Sequence, residues 1–146
     1  AAAWTSRGPI TLWKTASGEK HLDLRLFSDE DSACQAVDFS PDGARLAVLG
    51  GSLVRVWELS TCQVLATIDA PGSQTLAQSP RGDVIATGGL DDATGANVTL
   101  WESSTLAIMR EYGGHSHSVM AIAFSPDGRV LASGGRDGIV NVWLLD

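Results

Sequence analysis

Short apolar runs separated by turns that contain Gly and Pro follow one another along the whole chain. No stretch has the 3.6-residue period of an amphipathic helix. Four of the runs end in tryptophan, at Trp13, Trp57, Trp101 and Trp143, with intervals of 44, 44 and 42 residues. Such a period predicts a repeat of short β-strands, in which each repeat forms one supersecondary unit.

A Ser-Pro-x-Gly turn recurs upstream of three of these tryptophans. In such a turn Pro presets φ, Asp accepts local hydrogen bonds and Gly supplies a positive φ. Apolar runs flank each turn, so each pair of runs is typical of a β-hairpin. The three turns are Ser40-Pro41-Asp42-Gly43, Ser79-Pro80-Arg81-Gly82 and Ser125-Pro126-Asp127-Gly128.

Each period predicts four strands, joined in order by the Ser-Pro-x-Gly turn, a Gly-rich turn and a short turn after the tryptophan. The predicted strands of the second period cover 35–39, 45–49, 53–58 and 63–68, and those of the third cover 75–78, 84–87, 97–102 and 106–110. Small antiparallel four-stranded sheets with a period in the low forties indicate the blades of an all-β propeller.

The last period carries the most complete motif set. It contains Gly114-His115, then the segment 122–128, then 131–138, and ends in Val140-Asn141-Val142-Trp143. In this the chain resembles the WD-repeat family of β-propellers. The earlier periods depart from the family pattern, because only the last keeps Gly-His and no tryptophan is followed by Asp.

The repeats divide the chain into four blades of a partial propeller covering 1–146. Segment 1–13 aligns without gaps on 131–143. We therefore expect strands b to d of a first blade over 1–27, whole blades over 28–69 and 70–112, and strands a to c of a fourth over 113–146. The resemblance implies the C-terminal part of a larger propeller. A proteolytic product, a split or engineered half-propeller, and an oligomeric ring of several copies all remain open.

Charge and cysteine content narrow the class of partner and compartment. The 146 residues carry a net charge of −7 without a basic cluster, which argues against nucleic acid and anionic membrane surfaces as partners. No apolar run approaches the ~18 residues of a membrane span. Cys34 and Cys62 are expected to be buried free thiols, which favours a reducing compartment such as the cytoplasm. The Ser-Pro-Asp-Gly form favours a bacterial source.

Four polar residues of the last repeat invite two interpretations. His115, Ser133 and Asp137 have the composition of a hydrolase triad, but no nucleophile elbow or oxyanion-hole motif accompanies them. The family resemblance instead implies that these three and Trp143 form a hydrogen-bond network inside one blade. His115 and His117 form an H-x-H pair without a third ligand, so we expect no metal, no other cofactor and no enzymatic activity.

The resemblance also implies that partners dock on one rim, built by the loops between strands d and a and between b and c. The positions that map to this rim are Gln35 in the second blade, Gln74, Asp91 and Asp92 in the third, and Ser118, Met120 and Arg136 in the fourth. A non-catalytic protein–protein interaction scaffold is therefore the expected function. The alternative is a half-propeller whose partner is the remainder of its own ring or another copy.

Overall fold

Four antiparallel β-sheets follow one another along the chain. The computed structural model describes residues 2–3, 10–24, 33–89 and 98–145. The strands are β1 (Ala2–Ala3), β2 (Ile10–Trp13), β3 (Lys20–Leu24), β4 (Cys34–Phe39), β5 (Arg45–Gly50), β6 (Leu53–Glu58), β7 (Gln63–Asp69), β8 (Ser73–Gln78), β9 (Val84–Gly89), β10 (Val98–Glu102), β11 (Ile108–Tyr112), β12 (Val119–Phe124), β13 (Val130–Gly135) and β14 (Val140–Leu144).

Strands pair in chain order within each sheet, as propeller blades require. The second and third sheets have four strands each, β4 to β7 and β8 to β11. The first and fourth show three each among the described residues, β1 to β3 and β12 to β14. The all-β blade architecture is thus confirmed, and the described residues form an open arc rather than a closed ring.

One strand of the third blade begins later than predicted. We expected it to start at Leu106, but β11 starts at Ile108. Leu106 has a φ of 60° and closes the turn, because its amide donates to the carbonyl of Glu102 at 2.8 Å. Hydrophobicity suggested a strand here, and local turn geometry decided otherwise.

The Ser-Pro-Asp-Gly turns are held by their own side chains. In the second blade Ser40 Oγ donates to Asp42 Oδ1 at 2.5 Å, and the amide of Ala44 donates to the same oxygen at 3.0 Å. Gly43 closes the turn with a φ of 70°. The serine hydrogen bond and the amide hydrogen bond lower the pKa of Asp42, and the turn at Asp127 repeats this arrangement.

Among the described residues, three apolar clusters lie between successive blades and make up the core. In each, the tryptophan of one blade packs with residues of the blade before it. The cluster between the second and third blades shows the pattern: Leu49, Val54 and Val56 on one side, and Leu76, Ile85 and Trp101 on the other. Because a blade buries its faces only against its neighbours, each added blade extends the core.

Candidate functional site

The four polar residues singled out in the last repeat meet inside the fourth blade. His115 Nδ1 lies 3.1 Å from both carboxylate oxygens of Asp137, and Nε2 lies 2.9 Å from Ser133 Oγ. The indole nitrogen of Trp143 donates to the same Ser133 oxygen at 3.1 Å. A neutral imidazole with its proton on Nδ1 satisfies every donor in this series, since Ser133 then donates to Nε2.

Asp137 ties together the two loops that flank the network. Its carboxylate accepts the amide of Ser116 at 2.9 Å and the amide of Ile139 at 3.0 Å. Burial acts to raise the pKa of Asp137, but the hydrogen bonds from these two amides and from His115 outweigh it and lower the pKa to about 2. The carboxylate is therefore ionised at neutral pH and acts as a fixed acceptor.

Glycine makes the room that this network needs. A Cβ built on Gly135 would lie 2.5 Å from Asp137 Oδ1 and 2.5 Å from His115 Nδ1. Any side chain at this position would therefore push the imidazole and the carboxylate out of place.

The geometry has the order of a Ser-His-Asp triad but not the access that catalysis demands. Ser133 is 1% exposed, and its oxygen already accepts the indole N–H of Trp143. A nucleophile must reach a substrate carbon, and no substrate reaches an oxygen enclosed in this way. The arrangement satisfies buried polar groups and anchors loops.

The equivalent positions of the second and third blades, which are whole, hold less of the network than those of the fourth. In the third blade the indole nitrogen of Trp101 donates to Thr87 Oγ1 at 2.9 Å. In the second blade the equivalent residue is Val48, and the buried indole nitrogen of Trp57 has no hydrogen-bond partner in the part of the chain that the structure describes. Sequence analysis missed the Thr87 pair, although the spacing between a hydroxyl and the tryptophan was visible in the repeat alignment.

Three of the predicted rim residues share one structural peculiarity. Gln35, Gln74 and Met120 each lie at a register shift near the start of the first strand of their blade, so that each is the extra residue of a β-bulge. A bulge turns a side chain away from the regular alternation of a strand, and bulges are common beside functional sites. No feature of the sequence had indicated these bulges.

The remaining rim residues of the fourth blade lie beside these bulges. The amide of Arg136 donates to the carbonyl of Ser118 at 2.9 Å, which joins the two rim loops. Gln74 Nε2 donates to Ser118 Oγ at 3.4 Å and links the third blade to the fourth. Met120 and Arg136 are exposed, and Ser118 and Gln74 are half-buried. Asp91 and Asp92 lie outside the described residues.

Comparison with known proteins identifies one repeat of the chain. The family model described as WD domain, G-beta repeat matches residues 107–143, which include the whole network. The chain thus carries a WD repeat in its fourth blade.

Curated relatives align over most of this WD-repeat chain. Cell division cycle 20.5, cofactor of APC complex, from Arabidopsis thaliana is 29% identical over 92% of this chain and 29% of its own length. Telomerase Cajal body protein 1 from Mus musculus is 31% identical over 92% of this chain and 27% of its own. The WD-repeat chain thus spans less than a third of these relatives. Both organisms are eukaryotes, so the expected bacterial source receives no support.

Other expectations for this WD-repeat chain meet mixed outcomes. Cys34 is buried, but Cys62 is exposed, so the prediction of two buried thiols was wrong for Cys62. Cys62 has a φ of 57° in the turn after β6, and this turn projects into solvent. Burial raises the pKa of Cys34 to about 11.

Among the described residues, no helix is long and apolar enough to cross a membrane.

Proposed function

We propose that this WD-repeat chain is a non-catalytic scaffold for protein–protein interaction and that its partners dock on the bulged rim. The observation that carries the proposal is the β-bulge at the same position of three successive blades, which falls on the predicted rim residues Gln35, Gln74 and Met120. Side chains repeated on a rigid sheet scaffold form a preorganised surface, and preorganisation reduces the entropy lost on binding.

The polar network supports the rim rather than a reaction. Asp137 fixes the amides of Ser116 and Ile139, so the loops that carry Ser118 and Arg136 start from anchored positions. An exposed methionine beside an arginine combines adaptable apolar contact with charge, a mixture common at interface centres. The relatives' names, one a cofactor of a complex, agree with a function exerted through other proteins.

Affinity purification with matched variants tests the rim. We expect Arg136→Glu to release heterologous partners of the wild-type chain, because it reverses the charge of an exposed residue on the predicted rim. Arg129→Glu is the control, since Arg129 is an exposed arginine directly after the Ser-Pro-Asp-Gly turn of the same blade. Equal loss with both variants, or retention with both, would argue against docking on the rim.

A second candidate function, assembly with another set of blades, has its own observation. The exposed fractions of Val140, Val142 and Leu144 on β14 are 69%, 64% and 76%. The residues that match Val140 and Val142 in the second blade, Val54 and Val56, are buried by the third blade. A further blade, from the rest of the propeller or from another copy, would cover this face in the same way.

Sedimentation separates the two candidates. Self-assembly predicts a mass that rises with concentration and falls to that of one chain in Val142→Glu. A chain of 15.3 kDa that stays monomeric at all concentrations would exclude assembly of copies. Purification that recovers only the chain itself would favour assembly over the scaffold.

A further inference from the structure

One pair of polar residues joins the second and third blades across their first strands. The backbone amide of Gln78, on β8, donates to Asp38 Oδ2, on β4, at 2.8 Å. The side-chain Nε2 of Gln78 donates to the backbone carbonyl of Asp38 at 2.7 Å. The other carboxylate oxygen of Asp38 accepts the amide of Phe39 at 2.9 Å, so the carboxylate is held in place by its own strand before it meets Gln78.

The next blade boundary has apolar residues at the same two positions. In the repeat, Asp38 aligns with Ala77, and Gln78 aligns with Phe124. Gln78 lines a cavity of about 270 Å³ between the second and third blades, and Phe124 lines a cavity of about 370 Å³ between the third and fourth. Asp38 and Gln78 thus form a polar pair at positions where the following boundary has an alanine and a phenylalanine.

The apolar packing is alike at the three boundaries that the structure describes. At each of them, a tryptophan and a branched aliphatic residue from the second strand of the same blade pack against the blade before it. These residues are Leu46 with Trp57, Ile85 with Trp101, and Leu131 with Trp143. Because hydrophobic contact is not directional, these similar faces do not by themselves distinguish the correct neighbour of a blade from another blade.

A wrong neighbour would disrupt the polar pair on either side. Asp38 and Gln78 are both half-buried. Packing Phe124 against Asp38 would place a phenyl ring where the backbone carbonyl of Asp38 accepts the side-chain amide of Gln78. Packing Gln78 against Ala77 would remove the carboxylate that accepts its backbone amide. Each mismatch therefore loses a hydrogen bond that the correct arrangement makes, one of them to a charged group.

We propose that Asp38 and Gln78 determine the order of the blades, because they make the second blade accept the third and reject the fourth blade of another copy. During folding every face is exposed before it is covered, and repeat proteins misassemble at this stage. A single polar group in an otherwise apolar interface selects the correct partner in coiled coils by the same principle. This selection concerns folding and does not depend on the scaffold function.

Unfolding in urea tests whether the two residues act as a pair. Asp38→Ala and Gln78→Phe should each lower the midpoint of unfolding, because each leaves one member without its partner. The double variant reproduces the Ala77 and Phe124 boundary, so its midpoint should lie closer to the wild type than the sum of the single losses predicts. Losses that simply add would show that the residues act independently and would overturn the proposal.

Refolding separates the selection of neighbours from stability. The chains are diluted from urea at several concentrations, and size-exclusion chromatography with light scattering measures the fraction in oligomers against samples that were never unfolded. Asp38→Ala/Gln78→Phe makes the two boundaries alike by removing the pair, and Ala77→Asp/Phe124→Gln makes them alike by duplicating it. We expect about tenfold more refolding-dependent oligomer from each, since a hydrogen bond to a charged group corresponds to a preference of about this size.

Ser133→Ala is the matched control, because it removes hydrogen bonds inside the fourth blade and leaves the residues of both boundary pairs unchanged. It should refold with the wild-type fraction of oligomer, although it lowers stability. Less oligomer from the duplicated pair than from the wild type would overturn the proposal, since the pair would then only stabilise the fold.

An oligomer fraction in the variant without the pair no larger than in Ser133→Ala would overturn it as well. Tryptophan fluorescence checks folding, and if one double variant does not fold, the other decides by the same comparison. Partner loss in Arg136→Glu, which tests the rim, is independent of all these outcomes.

Discussion

The second and fourth blades place a tryptophan at the same position of the third strand but give its indole nitrogen opposite surroundings. In the fourth blade Trp143 donates to Ser133, which leads on to His115 and Asp137. In the second blade Trp57 packs with Val48, and its buried N–H has no hydrogen-bond partner among the described residues. Leaving such a group unpaired costs about 1–3 kcal/mol.

Apolar packing is thus enough to form a blade, whereas the polar network fixes the loops of the blade. Trp57 is buried with Leu46 and Val48 against Leu12 of the first blade, so the second blade forms without the network. Its β5–β6 connection is only Gly51 and Ser52, and Gly51 supplies a φ of 62°. So short a hairpin needs no carboxylate, whereas the longer loops of the fourth blade are tied by Asp137.

Removing the hydroxyl at the centre of the network should lower stability more than any other change considered below. Ser133→Ala leaves both the indole N–H of Trp143 and the His115 nitrogen without this partner, so we expect a loss of about 3 kcal/mol in the free energy of unfolding. Urea unfolding followed by tryptophan fluorescence measures it. Ser133→Thr should restore most of the loss, since Thr87 serves Trp101 in the third blade.

The control for this prediction is Ser104→Ala, which removes an exposed hydroxyl in the turn after β10 and should change stability by less than about 0.5 kcal/mol. A loss in Ser133→Ala no larger than in Ser104→Ala would show that the network adds nothing to the stability of the fourth blade.

The reverse change should stabilise the second blade. Val48→Thr gives Trp57 the acceptor that Thr87 gives Trp101, at nearly constant volume, and we expect a gain of about 1 kcal/mol. Chemical unfolding measures the gain in the wild-type and Trp57→Phe backgrounds. The gain should disappear in the Trp57→Phe background, because phenylalanine has no donor. A gain of the same size in both backgrounds would disprove the hydrogen bond as its cause.

A smaller effect concerns the turn that follows the tryptophan. Gly18, Cys62 and Leu106 occupy the same position in three blades and have φ values of 69°, 57° and 60°. Cys62→Gly removes the strain of a side chain in the left-handed region, and after the entropy cost of glycine we expect a gain of about 0.5 kcal/mol. Ser60→Gly, in the same turn, should lower stability, and a gain there instead would refute the strain argument.

The smallest effect concerns Asp137 of the fourth blade and is measurable only at acidic pH. The pKa of Asp137 is lowered from 3.8 to about 2, so the folded chain binds this proton more weakly than the unfolded chain. Its stabilising contribution is present above pH 3.8 and is lost as the pH falls towards 2. Acid unfolding of the wild type should therefore be steeper across this range than that of Asp137→Asn. Acid-unfolding curves of equal steepness for the two proteins would contradict a lowered pKa of Asp137 in the folded chain.

Strand order and turns followed from the sequence because they depend on local chemistry. The Ser-Pro-Asp-Gly turns formed as predicted, since proline, a hydrogen-bonding aspartate and glycine act within four residues. The predicted start of β11 was wrong because Leu106 has a left-handed φ and belongs to the turn, which its hydrophobicity does not indicate. The lack of a hydroxyl acceptor for Trp57 could have been predicted, because Val48 aligns with Thr87 and Ser133.

Sequence alone was enough to predict the repeat, the four-strand blade and the place of His115, Ser133, Asp137 and Trp143 in one repeat. The packed fold was needed to show how these side chains meet and which of the predicted rim residues lie at β-bulges. The difference comes from the range of the interactions. Turns and strands are set by neighbours in the chain, whereas bulges depend on cross-strand register and side-chain contacts on the packing of strands that are distant in the chain.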